Sequence, residues 1–161
     1  MKQPEIRKAA VKDGITVSKI ITESFKRRTE LLQVSETEYP NHVAFETERM
    51  AITRINNSTV KILFVYDEPI GIIGTRQEGE IGIIDRLAIL PSYRGENYGR
   101  LLLEHSENEL FNNDCTEIHI SLVASYQNLR RFYVEHGYTC ISSTTLSGLP
   151  CEVLSLRKYK R

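Results

Sequence analysis

The sequence has few of the residues that mark secreted, fibrous or nucleic-acid-binding chains. Its 161 residues include five prolines, three cysteines and no tryptophan, and 21 Lys and Arg balance 21 Asp and Glu for a formal net charge of +0. Balanced charge argues against a general nucleic-acid or membrane-surface binder, whose affinity needs a basic excess. The cysteines form neither a CxxC pair nor a disulfide framework, so we interpret them as free thiols of a cytoplasmic protein: Cys115, Cys140 and Cys151.

Long apolar runs and low-complexity linkers are also missing. No apolar run approaches the roughly 20 residues of a membrane-spanning helix, and the segment Met1–Lys8 has no apolar core of a secretory signal. We therefore expect a cytoplasmic protein with no membrane partner. With 40% apolar and 26% charged residues the composition is that of a globular protein, and we predict one domain over residues 1–161.

What the sequence does contain is a succession of strand-like and helix-like segments. Asp13 is predicted to cap a first helix and Thr47 a second. Gly137 has the position of a C′ glycine after a later helix, and the last two strands are predicted to form a hairpin around Ser147–Pro150. These signals predict the order β-α-α-β-β-β-α-β-α-β-β, which indicates a mixed sheet covered by helices.

The most informative segment is Leu87–Arg100. A strand-like run meets Pro91, an Arg-Gly-Glu-Asn-Tyr-Gly loop follows, and a helix is predicted to begin near Asn97. A helix N-terminus presents unpaired N–H donors and the positive end of the helix dipole, which suit a phosphate or pyrophosphate. Gly95 and Gly99 leave the backbone uncovered, and either can adopt a positive φ. The segment therefore predicts an anion-binding turn.

Two motifs in this chain resemble those of the GNAT superfamily, the N-acetyltransferases that use acetyl-coenzyme A. The first is Arg94–Gly99, which fits the pattern Arg/Gln-x-x-Gly-x-Gly/Ala with Asn97 at its fourth position and an added glycine at Gly95. The second is Asn128–Tyr138, close to the pattern Asn…Phe-Tyr-x-x-x-Gly-Phe/Tyr. The resemblance implies an α/β fold with a mixed, mostly antiparallel twisted sheet of about six to seven strands flanked by about four helices.

The same resemblance implies which residues hold the acetyl donor. Backbone amides of the loop would hold the pyrophosphate of acetyl-coenzyme A, with charge-assisted contacts from two arginines, one of them to the 3′-phosphate. The strand before the loop would pair its backbone with the pantetheine amides, and two residues of the second motif would lie beside the pantetheine arm. The predicted cofactor-binding residues are therefore Leu87, Ala88, Ile89, Arg94, Gly95, Glu96, Asn97, Tyr98, Gly99, Arg100, Asn128 and Arg131.

Acetyl transfer to an amine also needs a proton for the leaving thiolate. Tyr133 matches the tyrosine that resembling enzymes use as general acid. A phenol with a pKa near about 10 is protonated at neutral pH and can donate to the departing sulfur. The alternative is an amphipathic core tyrosine in a Phe-Tyr pair. The motif position favours the catalytic interpretation.

The general base is less clear than the acid. Asp85 is the candidate, because it shares a strand face with Leu87 if the strand pairing is regular. It would accept the amine proton through a water or bind a cationic substrate. A salt bridge to a neighbouring arginine such as Arg86 is an equally good interpretation, and Glu78 and Glu80 are rival bases.

The acceptor is the part that the sequence determines least. In this superfamily the first two helices and the final hairpin build the acceptor pocket, here residues 25–57 and 144–152. We predict a small primary amine acetylated by direct attack; the alternatives are a protein or peptide acceptor, a non-catalytic coenzyme A sensor, and a phosphate loop for another nucleotide.

The histidines lack metal-ligand spacing, so no metal is expected, and a homodimer is compatible with the sequence. Acidic residues on the acceptor side favour a cationic amine or form a solvated face: Glu36, Glu38, Glu46 and Glu48.

Overall fold

The computed structural model describes residues 3–32, 45–145 and 152–161, and of residues 27–32 the backbone alone. The turn predicted at Ser147–Pro150 lies outside these residues. Within them the chain forms seven strands and four α-helices. It divides into two compact units: the first consists of Met1–Arg76 and Arg86–Ser106, and the second of Gln77–Asp85 and Glu107–Arg161. The single domain over residues 1–161 stays a prediction.

The elements follow the order that the sequence predicts, which confirms the mixed α/β fold class. Short 3₁₀ turns precede the first and third helices, at Val11–Asp13 and Pro91–Tyr93. The strands and helices are β1 Glu5–Lys8, α1 Gly14–Leu32, α2 Glu48–Asn57, β2 Thr59–Val65, β3 Glu68–Glu78, β4 Ile81–Ile89, α3 Tyr98–Asn112, β5 Glu117–Val123, α4 Gln127–Glu135, β6 Thr139–Thr145 and β7 Glu152–Tyr159.

The first unit is built on antiparallel strands that pack against α1 and α2. β1 pairs with β2, and β2 with β3. In α1 the apolar residues recur every three or four positions and therefore lie on one face. They belong to a single buried core with residues of α2, β2, β3 and β4: Val17, Ile20, Ile21, Phe25, Ala51, Val60, Ile62, Ile72 and Ala88.

The two predicted helix caps have different outcomes. Thr47 caps α2 as predicted, because its side-chain oxygen accepts the Met50 N–H at 3.2 Å. Asp13 directly precedes α1, which begins at Gly14 as predicted, but its side chain bonds to residues before it in the chain. The Asp13 carboxylate accepts the Ala10 N–H at 2.8 Å and pairs with Arg7 at 3.1 Å. It therefore closes the turn between β1 and α1 rather than the first turn of the helix.

The second unit contains four strands in the order β4-β5-β7-β6. β4 and β5 are parallel, so the chain needs a crossover connection between them, and this connection includes α3. β5 pairs with β7 and β7 with β6 in antiparallel fashion, and the described strand pairs are mostly antiparallel, as predicted. A Cβ at Gly82 would lie 2.9 Å from Leu110 Cδ1, so this glycine lets α3 approach β4 closely.

Two of the cysteines can be compared with the sequence expectation. Cys115 and Cys140 are free thiols, as predicted, and Cys115 is buried. Cys151 lies outside the described residues. Among the helices of residues 3–32, 45–145 and 152–161, none is long and apolar enough to cross a membrane.

Candidate functional site

The loop between β4 and α3 lies in the first unit and begins with a tight turn. Arg94 N–H donates to Pro91 O at 3.3 Å and closes the 3₁₀ turn. Gly95 then has a φ of 83° and Asn97 a φ of 64°. The backbone thus passes twice through the left-handed region, which most side chains disfavour, before α3 begins at Tyr98.

The first turn of α3 has N–H groups that no helical carbonyl can accept. Leu101 N–H donates to Asn97 O at 3.1 Å, so the N–H groups of residues 98–100 precede the helical hydrogen-bond ladder. The first turn carries no acidic side chain, and a Cβ at Gly95 would meet no atom within 4 Å. Open space beside such donors at a helix N-terminus fits a phosphate group.

The two arginines predicted to contact phosphate differ in their surroundings. Arg94 donates from Nε to Ile89 O at 3.1 Å and from Nη2 to Ser24 O at 2.7 Å. These bonds attach the loop to the end of β4 and to α1, and they hold the guanidinium charge at a fixed place. Arg100 pairs instead with Glu104 at 2.8 Å, and its side chain is 61% exposed. Arg94 is therefore the better ordered of the two cations.

The last residues of β4 lie in the first unit beside the loop. Ala88 and Ile89 are buried, and Leu87 is half-buried. Arg86 has a φ of 53°, a left-handed conformation within a strand, and the alternation of faces is interrupted there. The sequence interpretation placed Asp85 on one face with Leu87 on the condition of regular pairing, and the strand does not meet that condition.

In the second unit, β5 extends beyond its pairs with β4. The parallel register ends at Ile84 and Ile120, whereas β5 pairs with β7 as far as Val123. Asp85 directly follows the last paired residue of β4 and is half-buried, while its rivals Glu78 and Glu80 are exposed. Partial burial next to the end of the parallel ladder distinguishes Asp85 from these two glutamates.

Helix α4 carries the remaining predicted site residues in the second unit. Asn128 and Arg131 are three positions apart and share one helix face, and both are exposed. Tyr133 is only 4% exposed, because two further residues turn the helix by about 200°. The helix therefore directs Asn128 and Arg131 to the surface and Tyr133 into the interior of the unit.

Tyr133 lies in a group of aromatic rings. The rings of Phe132 and Tyr138 approach it edge-on, with centroids 5.2 Å and 5.6 Å away. Its backbone carbonyl accepts the N–H groups of His136 at 3.0 Å and Tyr138 at 3.1 Å. Gly137, with a φ of 94°, lets the chain return in this way. The ring is thus packed on two sides, and its backbone is held at the helix end.

Sequence patterns gave no reason to single out Glu107 or Lys158, which the structure joins to the same aromatic group. Tyr138 Oη donates to Glu107 Oε2 at 2.8 Å, and Lys158 Nζ donates to the same oxygen at 2.9 Å. The available signal was the helical spacing, since Glu107 lies four residues after Leu103 and three before Leu110, both buried. A carboxylate on that stripe is a buried polar group that needs partners.

Metal-ligating side chains do not cluster in the part of the chain that the structure describes: no group of three or more His, Cys, Asp or Glu side chains there could hold an ion.

Comparison with known proteins assigns the class to which this fold and loop belong. The chain belongs to the acetyltransferase (GNAT) family, whose model matches residues 22–138. Membership makes it an N-acetyltransferase that takes its acetyl group from acetyl-coenzyme A. A comparison with curated protein sequences finds no match.

Solved structures of similar fold cover almost the whole chain. The PaiA N-acetyltransferase of Thermoplasma acidophilum, in complex with coenzyme A, has a TM-score of 0.83 and 18% identity over 99% of this chain and 100% of its own. A GCN5-related N-acetyltransferase of Rhodopseudomonas palustris has a TM-score of 0.80 and 20% identity, over 99% of this chain and 98% of its own. The ribosomal-protein-S18-alanine N-acetyltransferase of Escherichia coli has a TM-score of 0.78 and 14% identity, over 98% of this chain and 94% of its own.

These findings confirm the predicted family, fold class, enzyme class and acetyl donor. The individual residue assignments stay predictions, and the structure distributes them between the units. The first unit holds Leu87–Ile89 and Arg94–Arg100, and the second holds Asp85, Asn128, Arg131 and Tyr133.

Proposed function

We propose that this protein transfers the acetyl group of acetyl-coenzyme A to a primary amine of a small molecule by direct attack. The observation that carries the proposal is the start of α3, where N–H groups without helical acceptors adjoin the open backbone of Gly95 in a chain of the acetyltransferase (GNAT) family. Backbone donors bind a pyrophosphate without needing particular side chains. Gly95–Gly99 then hold the donor, while Arg94 fixes the loop and supplies nearby positive charge.

The end of β4 supports a second contact with the donor. The parallel ladder to β5 stops at Ile84, so Leu87–Ile89 follow the part of β4 that β5 pairs with. An extended segment beyond its ladder can pair with the amide groups of a pantetheine chain. Asn128 and Arg131 share the exposed face of α4 and, in this proposal, lie beside the same chain.

Tyr133 is proposed as the general acid. When bound, acetyl-coenzyme A supplies an activated thioester. The amine nitrogen bonds to the carbonyl carbon, the carbon–sulfur bond breaks, and the Tyr133 hydroxyl gives its proton to the departing sulfur. Burial of the Tyr133 ring among other aromatic side chains supports this role, since a water-poor setting keeps the donor hydrogen bond from being shared with solvent.

Asp85 is proposed as the group that takes the amine proton through a water. Its carboxylate is half-buried at the end of the β4–β5 ladder, whereas Glu78 and Glu80 are exposed. The proton balance then closes: the amine loses a proton toward Asp85, and the thiolate gains one from Tyr133.

A protein or peptide acceptor is the second candidate function. The similar Escherichia coli enzyme is named for a protein substrate, the alanine of ribosomal protein S18. The acidic acceptor side gives weaker support for a cationic amine than its composition indicates, because Glu46 is buried and paired with Arg54. Glu48 is exposed in the first turn of α2, and Glu36 and Glu38 lie outside the described residues.

A release assay for the free thiol of coenzyme A tests the proposal. The purified chain is mixed with acetyl-coenzyme A and either small primary amines or peptides with a free N-terminal alanine. We expect at least one small amine to accelerate thiol release by more than about 100-fold over the uncatalysed rate, with no acceleration by the peptides. Acceleration by peptides alone would establish the second candidate, and no acceleration by either set would contradict both.

A further inference from the structure

Tyr138, which packs against Tyr133, is part of a hydrogen-bonded group with Glu107 and Lys158. Tyr138 is 2% exposed and Glu107 is 4% exposed. The Glu107 carboxylate accepts the Tyr138 hydroxyl at 2.8 Å and the Lys158 ammonium at 2.9 Å through one oxygen, Oε2. The Lys158 Nζ also lies 5.6 Å from the centre of the Tyr138 ring. All three residues belong to the second unit, as does Tyr133.

Tyr138 contacts Tyr133 in two independent ways. The two rings meet edge-on, with centroids 5.6 Å apart and an interplanar angle of 74°. The Tyr138 N–H also donates to the Tyr133 carbonyl at 3.1 Å. A shift of the Tyr138 ring would therefore be felt by both the side chain and the backbone of Tyr133, because packed rings leave no free space to absorb it.

The Tyr138 hydroxyl is a fixed donor rather than a source of protons. Burial, and after it the negative charge of Glu107, raise the pKa of Tyr138 far above its ordinary value. The phenol therefore stays protonated and keeps donating to the carboxylate. Lys158 supplies the opposite charge that a buried carboxylate requires.

We propose that Tyr138 and Glu107 are positioning residues that hold the Tyr133 ring where its hydroxyl can protonate the leaving sulfur. The inference rests on the proposed role of Tyr133 as general acid. Proton donation requires the hydroxyl within hydrogen-bond distance of the sulfur, and a misplacement of about 1 Å can cost about 100-fold in rate. Tyr138 contacts both the ring and the backbone of Tyr133, and its own ring is held by the hydrogen bond from its hydroxyl to Glu107.

The same contacts would also serve a purely structural role, so the test must separate the two. A structural role lowers the stability of the variant whether or not Tyr133 has its hydroxyl. A positioning role lowers kcat only while that hydroxyl is present. The discriminating measurement is thus a double-mutant cycle on kcat between positions 133 and 138.

The cycle compares the wild type, Y133F, Y138F and the double variant with the best acceptor of the amine panel. Tyr133→Phe is expected to lower kcat by about 100-fold. Tyr138→Phe is expected to lower kcat by about tenfold, with the KM for acetyl-coenzyme A changed less than about twofold. The double variant should have the kcat of Y133F alone. In ligand-free protein, the ring NMR signals of Tyr133 should broaden in Y138F.

Y159F serves as the control, and E107Q separates the hydrogen bond of Glu107 from its charge. Tyr159 is 58% exposed and stacks on Arg157, so Y159F removes a tyrosine hydroxyl from the same unit and should leave kcat and the Tyr133 ring signals unchanged. In E107Q, an amide oxygen at the place of Oε2 can still accept Tyr138. We expect E107Q to keep kcat within about threefold of the wild type while its melting temperature falls, because Lys158 loses its counter-charge.

Each contrary outcome would overturn a different part of the proposal. A wild-type kcat and unchanged Tyr133 signals in Y138F, with Y133F impaired, would refute the role of Tyr138 alone. A Y138F loss that persists in the Y133F background would show that the contact acts on the fold as a whole. A loss of kcat in E107Q as large as that in Y138F would show that the negative charge of Glu107 is what matters, and it would refute the role given to its hydrogen bond with Tyr138. An unimpaired Y133F would remove Tyr133 from the proposed function itself.

Discussion

Gly95 and Asn97 give the loop before α3 its left-handed backbone, with φ values of 83° and 64°. The sequence indicated that either Gly95 or Gly99 can adopt such a conformation; Gly95 does, whereas Gly99 lies inside α3. Asn97 takes the second position. Asparagine enters the left-handed region more readily than most residues, which explains how it can stand at the fourth position of a motif that has glycine there.

Gly95 offers a test at the scale of one residue, with Gly79 as a matched control. Both have a positive φ, and a Cβ at either would meet no atom within 4 Å. We expect G95A and G79A each to lower the free energy of unfolding by about 1 kcal/mol through backbone strain. Only G95A should also weaken acetyl-coenzyme A binding, by about tenfold, because its methyl group takes up part of the open space in which the phosphate is proposed to lie.

Urea unfolding and titration calorimetry with acetyl-coenzyme A measure the two effects separately. Equal affinities of G95A and G79A for acetyl-coenzyme A would show that the phosphate does not approach the backbone at Gly95.

The buried partners of Glu107 could not be predicted from the residues around it in the sequence. On helix α3 a glutamate is ordinarily interpreted as facing solvent, yet Glu107 is buried beneath Tyr138 and Lys158. Its partners lie 31 and 51 residues further along the chain, and no local pattern joins them. Such a group becomes visible only when the elements are packed.

At the scale of elements, the turn from β1 to α1 depends on the carboxylate of Asp13. The hydrogen bond from Arg7, together with that from the Ala10 N–H, lowers the pKa of Asp13 below its ordinary value. A group whose folded-state pKa is lowered stabilises the fold above its unfolded-state pKa, and this contribution is lost as the pH falls through the folded-state pKa. The turn is therefore expected to weaken in acid.

Asp13→Asn tests this expectation. We expect the variant to lower the free energy of unfolding by about 1–2 kcal/mol at neutral pH, since the ion pair with Arg7 is lost and a neutral amide oxygen accepts the Ala10 N–H less strongly than a carboxylate. The difference from the wild type should shrink below about pH 4, where the carboxylate is protonated in the unfolded chain. E104Q, which breaks the exposed pair with Arg100, should leave the unfolding midpoint unchanged. A D13N difference that is constant with pH would contradict the role of the charge.

The order of elements was predictable because hydrophobic period and capping residues act locally. Thr47 and Gly137 mark real helix ends. The left-handed conformation of Arg86 within β4 was not predictable, because the run from Ile81 to Leu90 is predicted as one continuous strand and arginine has no preference for a positive φ. The outcome for Asp13 likewise depends on Arg7, a residue of the preceding strand.

At the scale of the whole molecule, the loop motif and the Asn128–Tyr138 motif sufficed to indicate the family, because both occur in the order expected of it and are joined by a strand. The family assignment over residues 22–138 agrees with that indication. The acceptor was not predictable in the same way. Different amines present the same reacting nitrogen, and the segments expected to select among them carry no comparable motif.

In the proposed reaction an amine attacks the thioester directly on this protein. The most direct measurement is the ratio of free coenzyme A thiol to N-acetylated amine, followed together over time with the best acceptor and the wild-type chain. Direct attack predicts equal amounts of the two products at every time point, no thiol release without the amine, and no acetylated protein. Thiol released without N-acetylated amine, or an acetyl group retained on the protein before the amine is added, would contradict it.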